Sequence, residues 1–413
     1  MKTQTHTPDL SNQPTLADDS GALDATMASP NSVQGAAAAG ATGGVRTTVL
    51  PRIEWAGNAP TIVSTSRPRF ETTRALGSGG LGEVVAAKDL DIGREVAIKR
   101  LRADARSAGS LARFVDEIRT VGALEHPNIL PIHDVGADEQ GALYFVMPRV
   151  RGETLEAIIE RLQAGDAATH AHWTFERRAH VFRQLLDAVA FAHERGYVHR
   201  DIKPSNVMIG PYGEVFLMDW GIAKPVNAPD HAAAAKHDQP APHAGRVTET
   251  HAGAVIGTPA YMSPEQARGE PVDARSDVYS LCVLFDELLC LRHYLDDCKT
   301  VDEMLQGVQH VQHSLASFVP NRHQAPAPAD LAWFARKGVA KDPAQRYQSV
   351  REMIDRLDAR DEGIIPIQCH LTFTKRVTGT WMRFIDRHPM LFTVALSLLV
   401  LGGIGAAVWQ GVR

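Results

Sequence analysis

A run of six residues, Gly77-Ser78-Gly79-Gly80-Leu81-Gly82, places four glycines where backbone can approach a ligand closely. The residues on its C-terminal side limit the fold. A dinucleotide-binding fingerprint of this spacing opens a helix, and a Walker A loop carries Lys-Ser/Thr after its last glycine. Here Glu83-Val84-Val85-Ala86-Ala87 is β-compatible and soon reaches a turn at Asp91-Ile92-Gly93. A glycine-rich hairpin folded over a nucleotide remains.

The next strand, Val96-Ala97-Ile98-Lys99, holds one lysine among apolar neighbours. A helix is predicted from Ser110 to Leu124, with Leu111, Phe114, Val115, Ile118, Val121 and Leu124 on one stripe. Glu117 falls inside that stripe. A carboxylate facing a core needs a cation, because an unpaired buried charge costs several kcal/mol. Lys99 is the candidate, and such a pair would hold the lysine against the phosphates of a nucleotide.

Around these segments the chain changes character. Strands are predicted at Phe70–Leu76, Glu83–Asp89, Glu95–Leu101 and Leu143–Met147, and helices at Glu176–Arg195, Asp277–Leu291, Ala329–Lys337 and Val350–Leu357. A β-rich front and an α-rich back predict an α+β protein of two lobes, about 70–147 and 152–358. Residues 1–69, rich in Ala, Thr, Ser, Gly and Pro, read as disordered. The segment Pro225–His251 reads as a solvated mobile loop, its four histidines included. With 43 Lys+Arg against 48 Asp+Glu, the net charge of −5 points away from a nucleic-acid partner. None of the four cysteines, Cys282, Cys290, Cys298 and Cys369, sits in a CxxC pair, so reduced thiols are expected.

Met390 to Trp409 is a run of 20 residues without a charged side chain. As a helix it would be about 30 Å long, the thickness of a bilayer's hydrocarbon core. Lys375, Arg376, Arg383 and Arg387 precede it and only Arg413 follows, so the positive-inside bias predicts a single-pass anchor in the plasma or inner membrane. Everything before the run would be cytoplasmic, with 359–389 as the juxtamembrane segment and 410–413 as a short outer tail. The N-terminus shows no secretory signal pattern. Gly402/Ala406 and Gly403/Ala407 have the small-xxx-small spacing that permits two such helices to pair, hence a homodimer.

The most specific pattern is His199-Arg200-Asp201-Ile202-Lys203-Pro204-Ser205-Asn206, with Asp219-Trp220-Gly221 thirteen residues after Asn206. Here the chain resembles the eukaryotic-like (Hanks-type) Ser/Thr protein kinases of bacteria, over about 70–358. The resemblance implies the two-lobed protein kinase fold, with a small β-rich lobe carrying one key helix and a larger helical lobe. It implies transfer of the γ-phosphate of ATP to protein Ser/Thr hydroxyls, in signal transduction. Mg²⁺, or Mn²⁺ in its place, would be held by Asn206 and Asp219, since hard cations take oxygen ligands. Asp201 would orient the hydroxyl and accept its proton, and Lys203 would contact the transferring phosphate. Gly77 to Gly82, Val84, Ala97, Lys99, Glu117, Met147 and Met208 would form the ATP site.

Gly257-Thr258-Pro259-Ala260-Tyr261-Met262-Ser263-Pro264-Glu265 resembles the end of an activation segment spanning 219–265. By the same resemblance Glu265 pairs with Arg346, and Asp277 bonds the catalytic-loop backbone. Arg200 precedes the catalytic base, so autophosphorylation at Thr248, Thr250 or both would supply a phosphate that pairs with it and orders the loop. Three positions depart from the family pattern: Trp220 stands for Phe, Pro148 for an acidic hinge residue, and Cys282 for Gly. The insertion 225–251 bears on substrate docking. The alternative class, a catalytically weak kinase-like membrane scaffold, conflicts with a complete set of Lys99, Asp201, Asn206 and Asp219.

Overall fold

The computed structural model describes residues 52–56, 59–63, 68–78, 82–102, 107–138, 141–221, 223–225, 249–250, 254–255, 259–316 and 319–411. All of them belong to one compact unit, Val45–Arg413. Gly79, Gly80, Leu81, Thr248, Thr258, the four histidines of the insertion and the whole stretch 1–51 lie outside the described residues.

Part of the segment expected to lack order is paired. β1 (Arg52–Ala56) and β2 (Ala59–Val63) form an antiparallel hairpin with Ile53 opposite Ile62. β-branched residues fit a pleated surface, and the surrounding Ser/Thr-rich composition hides this short run from a window-based reading. The main sheet comes next: β3 (Phe70–Ser78), β4 (Gly82–Asp89), β5 (Arg94–Leu101), β6 (Asp134–Ala137) and β7 (Leu143–Pro148), ordered β3-β4-β5-β7-β6. Arg69 fixes its entry. Its guanidinium reaches the buried Asp89 at 3.1 Å and Asp134 at 2.8 Å, tying the first strand to the turn after β4 and to the edge strand.

Helix α1 (Ala108–Gly122) crosses this sheet, capped by the Ser107 side chain, which accepts from Ser110 N. Its apolar stripe places Phe114 against Leu101 and Phe145, the rings of Phe114 and Phe145 lying 5.5 Å apart. Pro148 ends β7 opposite Val96, and Arg149 and Arg151 just beyond it both grip Glu95 of β5 at 2.7 Å. The hinge that lacks an acid of its own therefore borrows one from the neighbouring strand.

The second lobe opens with β8 (Glu153–Thr154), α2 (Leu155–Gln163), α3 (Ala167–His172) and α4 (Phe175–Glu194). β9 (Tyr197–Val198), a 3₁₀ turn Pro204–Asn206, β10 (Val207–Ile209) and β11 (Val215–Leu217) carry the central loops. β12 (Lys224–Pro225) pairs with β9, and β13 (Glu249–Thr250) with β14 (Ala254–Val255), so both ends of the expected mobile loop take part in pairing. Then come α5 (Pro264–Arg268), α6 (Ala274–Cys290), α7 (Val301–His310), α8 (Ala329–Gly338) and α9 (Val350–Asp361). Phe182 of α4 stacks on Phe285 of α6 at 4.1 Å, and Phe334 of α8 meets both edge-on. This core sits directly beneath the central loops.

Two helices complete the chain, α10 (His370–Arg387) and α11 (Pro389–Gly411, 23 residues). Among the described residues no single helix is long and apolar enough to cross a membrane. The bent pair α10 and Pro389–Ile404, turned by 105° at its break, qualifies by length and composition.

Candidate active site

β5 and α1 bring Lys99 and Glu117 together, as the apolar stripe predicts: Nζ lies 2.5 Å from Oε1. Glu117 is 5% exposed. Lys99 also reaches Asp219 Oδ1 at 3.1 Å, joining the two lobes through one ammonium. Burial works against the charge of Lys99, but Asp219 and Glu117 outweigh it and hold the pKa above the usual lysine value. About half of the Asp219 side chain is exposed to solvent. Its packed surroundings disfavour the carboxylate, and Lys99, then His199 and Lys203, more than offset this and lower its pKa.

A second cluster forms on the loop after β9. Lys203 Nζ lies 2.7 Å from Asp201 Oδ2, and Asn206 Nδ2 donates to Asp201 O at 2.8 Å and to Oδ2 at 3.1 Å. The two clusters are joined by backbone: Met218 N donates to Asn206 O at 2.8 Å, and Asp219 is the next residue. Because both amide hydrogens of Asn206 point at Asp201, its Oδ1 is left as the ligand atom. Asn206 Oδ1 and the Asp219 carboxylate are the kind of oxygen donors that a hard divalent cation takes. Among the described residues no group of three His, Cys, Asp or Glu side chains could hold a metal by itself.

The scaffold beneath these loops is polar and fully buried. Asp277 accepts from His199 N and Arg200 N, both at 2.8 Å, and meets His193 Nε2 at 2.7 Å. Burial keeps the His199 imidazole below its usual pKa. Its ring lies 4.5 Å from that of Trp220, which is itself buried and donates to Leu217 O at 3.3 Å. The indole thus fills an apolar slot and finds a partner for its N–H. Arg200 and Asp219 both adopt left-handed backbone, φ 70° and 63°. Such conformations cost a non-glycine residue energy and persist where surroundings over-determine them.

Glu265 and Arg346 form a bidentate pair at 2.7 and 2.8 Å, joined by Ser276 Oγ at 2.5 Å. Gln266, absent from the residues that sequence reasoning singles out, donates Nε2 to Arg200 O at 2.9 Å. Its Oε1 accepts from Ser263 N, completing a capping box at the start of α5. The Ser-Pro-Glu-Gln order is the signal that could flag it.

The remaining residues predicted for the nucleotide site divide between two sheets. Gly77, Ser78, Gly82 and Val84 flank the β3–β4 turn, with Gly77 opposite Val84 and Ser78 opposite Glu83. Any Cβ at Gly82 would stand 2.8 Å from Arg100 O, so the strand pairing itself requires glycine there. Ala97 pairs with Met147, while Met208 lies in the second lobe, opposite Thr154 and Phe216.

A two-lobed α+β architecture with a lysine bridging the lobes above an Asp/Lys/Asn loop defines a phosphotransferase of the protein kinase class. The protein kinase domain family matches residues 70–356, and the chain belongs to that family. It is similar to the serine/threonine-protein kinase PknD of Protochlamydia amoebophila, 33% identical over 76% of this chain and 32% of the relative. It is 38% identical to the serine/threonine-protein kinase PknB of Mycobacterium tuberculosis, over 69% and 42%. PknB of Mycolicibacterium smegmatis is likewise 38% identical, over 72% and 44%. The chain spans less than half the length of these relatives. All three of these relatives are bacterial serine/threonine-protein kinases by name.

Proposed function

We propose that this chain transfers the γ-phosphate of Mg-ATP to Ser/Thr hydroxyls of protein substrates, as a membrane-anchored signalling kinase. The observation carrying this reading is the convergence of Lys99, Glu117 and Asp219 next to Asp201, Lys203 and Asn206. In this reading Lys99 holds the non-transferred phosphates, fixed from behind by Glu117. Asp201, oriented by Lys203 and Asn206, aligns the substrate hydroxyl and takes its proton as oxygen bonds to the γ-phosphorus. The bond from that phosphorus to the bridging oxygen breaks, and ADP departs. Lys203 offsets charge on the transferring group. Mg²⁺, when bound at Asn206 and Asp219, supplies charge neutralisation of the phosphates. Positioning and electrostatics carry such a reaction because the transition state is loose.

Autophosphorylation at Thr248 or Thr250 belongs to the same proposal. Supporting it, Arg200 Nε is buried and has no partner among the described residues. A phosphate would satisfy it. The membrane anchor is supported by α11, whose 23 residues would extend about 34 Å, and by the absence of charge from Met390 to Trp409. Pairing of two such helices would bring kinase domains together for reaction in trans.

Radiolabelled ATP transfer by wild type and Asp201→Asn, with mapping of the labelled residues, tests the activity. Label on protein Ser/Thr that disappears in the variant is the expected outcome, and equal labelling by both proteins would refute the site. Deleting Met390–Arg413 should release a soluble kinase. A truncated protein that still sediments with membranes removes the anchor.

A further inference from the structure

Helix α10 is docked on the C-lobe by its polar half. Lys375 Nζ meets Asp330 Oδ1 at 2.8 Å, and Asp330 also binds Arg360 Nε at 2.5 Å. Arg383 bonds the carbonyls of Glu362 and Gly363, the latter at 3.3 Å. Thr372 is 1% exposed and accepts from Gln368 N and Cys369 N. The opposite face carries an apolar stripe that points outward, flanked by the exposed Thr374 and Thr380: Phe373, Val377, Trp381 and Phe384 recur at helical spacing and are 51, 39, 59 and 48% exposed. A helix on a water-soluble domain presents the reverse arrangement, apolar stripe inward and polar stripe outward. A contiguous exposed apolar face marks a surface that another phase or partner covers.

Three observations identify the cover as lipid. At His388 the chain turns by 105° into the uncharged helix α11. If α11 lies along the membrane normal, α10 lies within about 15° of the membrane plane. The outward face is built from Trp381, Phe373, Phe384 and Val377, the kind of Trp- and Phe-bearing face that an interfacial helix buries at the headgroup boundary. Arg376 and Arg387 are exposed beside that face, and neither forms an ion pair among the described residues. Asp386, the one acid of the helix, falls in the row of Lys375 and Met382 rather than that of Trp381.

We propose that α10 is an in-plane adaptor: its aromatic face lies in the interfacial layer of an anionic bilayer while its polar face grips the C-lobe. The kinase domain is then held at a fixed tilt to the membrane instead of swinging on a tether. Arg376 and Arg387 take the lipid phosphates. The inference rests on the reading of α11 as a membrane span.

The test uses the full chain in vesicles of phosphatidylcholine with about 30% phosphatidylglycerol. An environment-sensitive fluorophore is placed through Phe384→Cys or, as a water control, through Tyr212→Cys at a site 92% exposed. Cys298→Ser and Cys369→Ser remove the accessible native thiols, since Cys282 and Cys290 are buried. The expected result is a blue-shifted label at 384, quenched by nitroxide lipid and shielded several-fold from aqueous iodide, with the label at 212 open to iodide. A 384 label open to iodide, in protein that resists alkaline extraction, overturns the adaptor and leaves the anchor standing. A 384 label shielded from iodide yet untouched by nitroxide lipid means protein covers the face, a second copy included, and also overturns it. Protein released by alkali removes the anchor, and the adaptor with it.

Discussion

Gln266 Nε2 lies 2.9 Å from the carbonyl oxygen of Arg200, so the helix that ends the activation segment holds the catalytic loop by its backbone. The same side chain closes the capping box at Ser263. Removing it unpairs a carbonyl in a left-handed residue and loosens the segment together. A lost hydrogen bond of about 1 kcal/mol corresponds to roughly five- to tenfold in rate. Gln266→Ala should lower kcat by that factor and leave KM for ATP unchanged. Steady-state kinetics in which kcat is unaffected would show that Gln266 positions nothing.

Lys99 joins the buried Glu117 to Asp219, the acid proposed to hold the metal. Lys99→Met and Asp219→Asn should each reduce phosphotransfer by at least about 10²-fold, because each removes preorganised charge from the phosphates. Far-UV circular dichroism should change little, since neither residue belongs to the hydrophobic cores. Glu117→Gln retains a hydrogen-bond acceptor without the charge and should fall between these variants and wild type.

The Glu265–Arg346 pair predicts acid sensitivity. Burial pushes the Glu265 carboxyl up, but hydrogen bonds from Arg346 and Ser276 and the Arg346 charge bring it down to about 2. Its folded pKa thus lies below the ordinary glutamate value of about 4.3, so the stabilisation is complete above that pH and is lost as pH falls toward 2. Arg346→Ala leaves a buried carboxylate without its cation and should cost about 3–5 kcal/mol at pH 7. Urea denaturation should show that gap narrowing at pH 3, and a gap independent of pH would contradict the assignment.

Cys282 packs against Gly338 of α8. A Cβ at Gly338 would lie 2.8 Å from Cys282 Cβ and closer still to its sulfur. Both positions are at the centre of the helical core. Gly338→Ala should therefore destabilise by about 1–3 kcal/mol through overpacking. Adding Cys282→Gly should recover part of that loss, and thermal melts in which the two changes are simply additive would rule out the contact.

Much of the fold is legible in the sequence because local pattern and global role coincide. The alternation from Phe70 to Leu101 and the stripe holding Glu117 each encode a strand or a face and the position of a functional side chain at once. Arg69, His193 and Gln266 carry no such mark. Their roles depend on partners 65, 84 and 66 residues away, and a single polar residue does not announce a distant acceptor. Helix α10 is opaque for another reason. A helical wheel displays two faces, yet which one meets the protein is decided by Asp330 and the carbonyls of Glu362 and Gly363. The hairpin at 52–63 is short and lies in a segment whose composition points to disorder.

The left-handed backbones of Arg200 and Asp219 make the reaction centre a set trap. Each conformation costs about 1–3 kcal/mol, and a polar frame holds them: Asp277 and Gln266 bond the N–H and the carbonyl of Arg200, and Lys99 pairs with the Asp219 carboxylate. When that frame slackens, both residues spring to commoner geometries and scatter the phosphate-handling groups at one stroke. Catalytic power should therefore vanish at milder denaturant than the helices do, leaving a folded but silent protein.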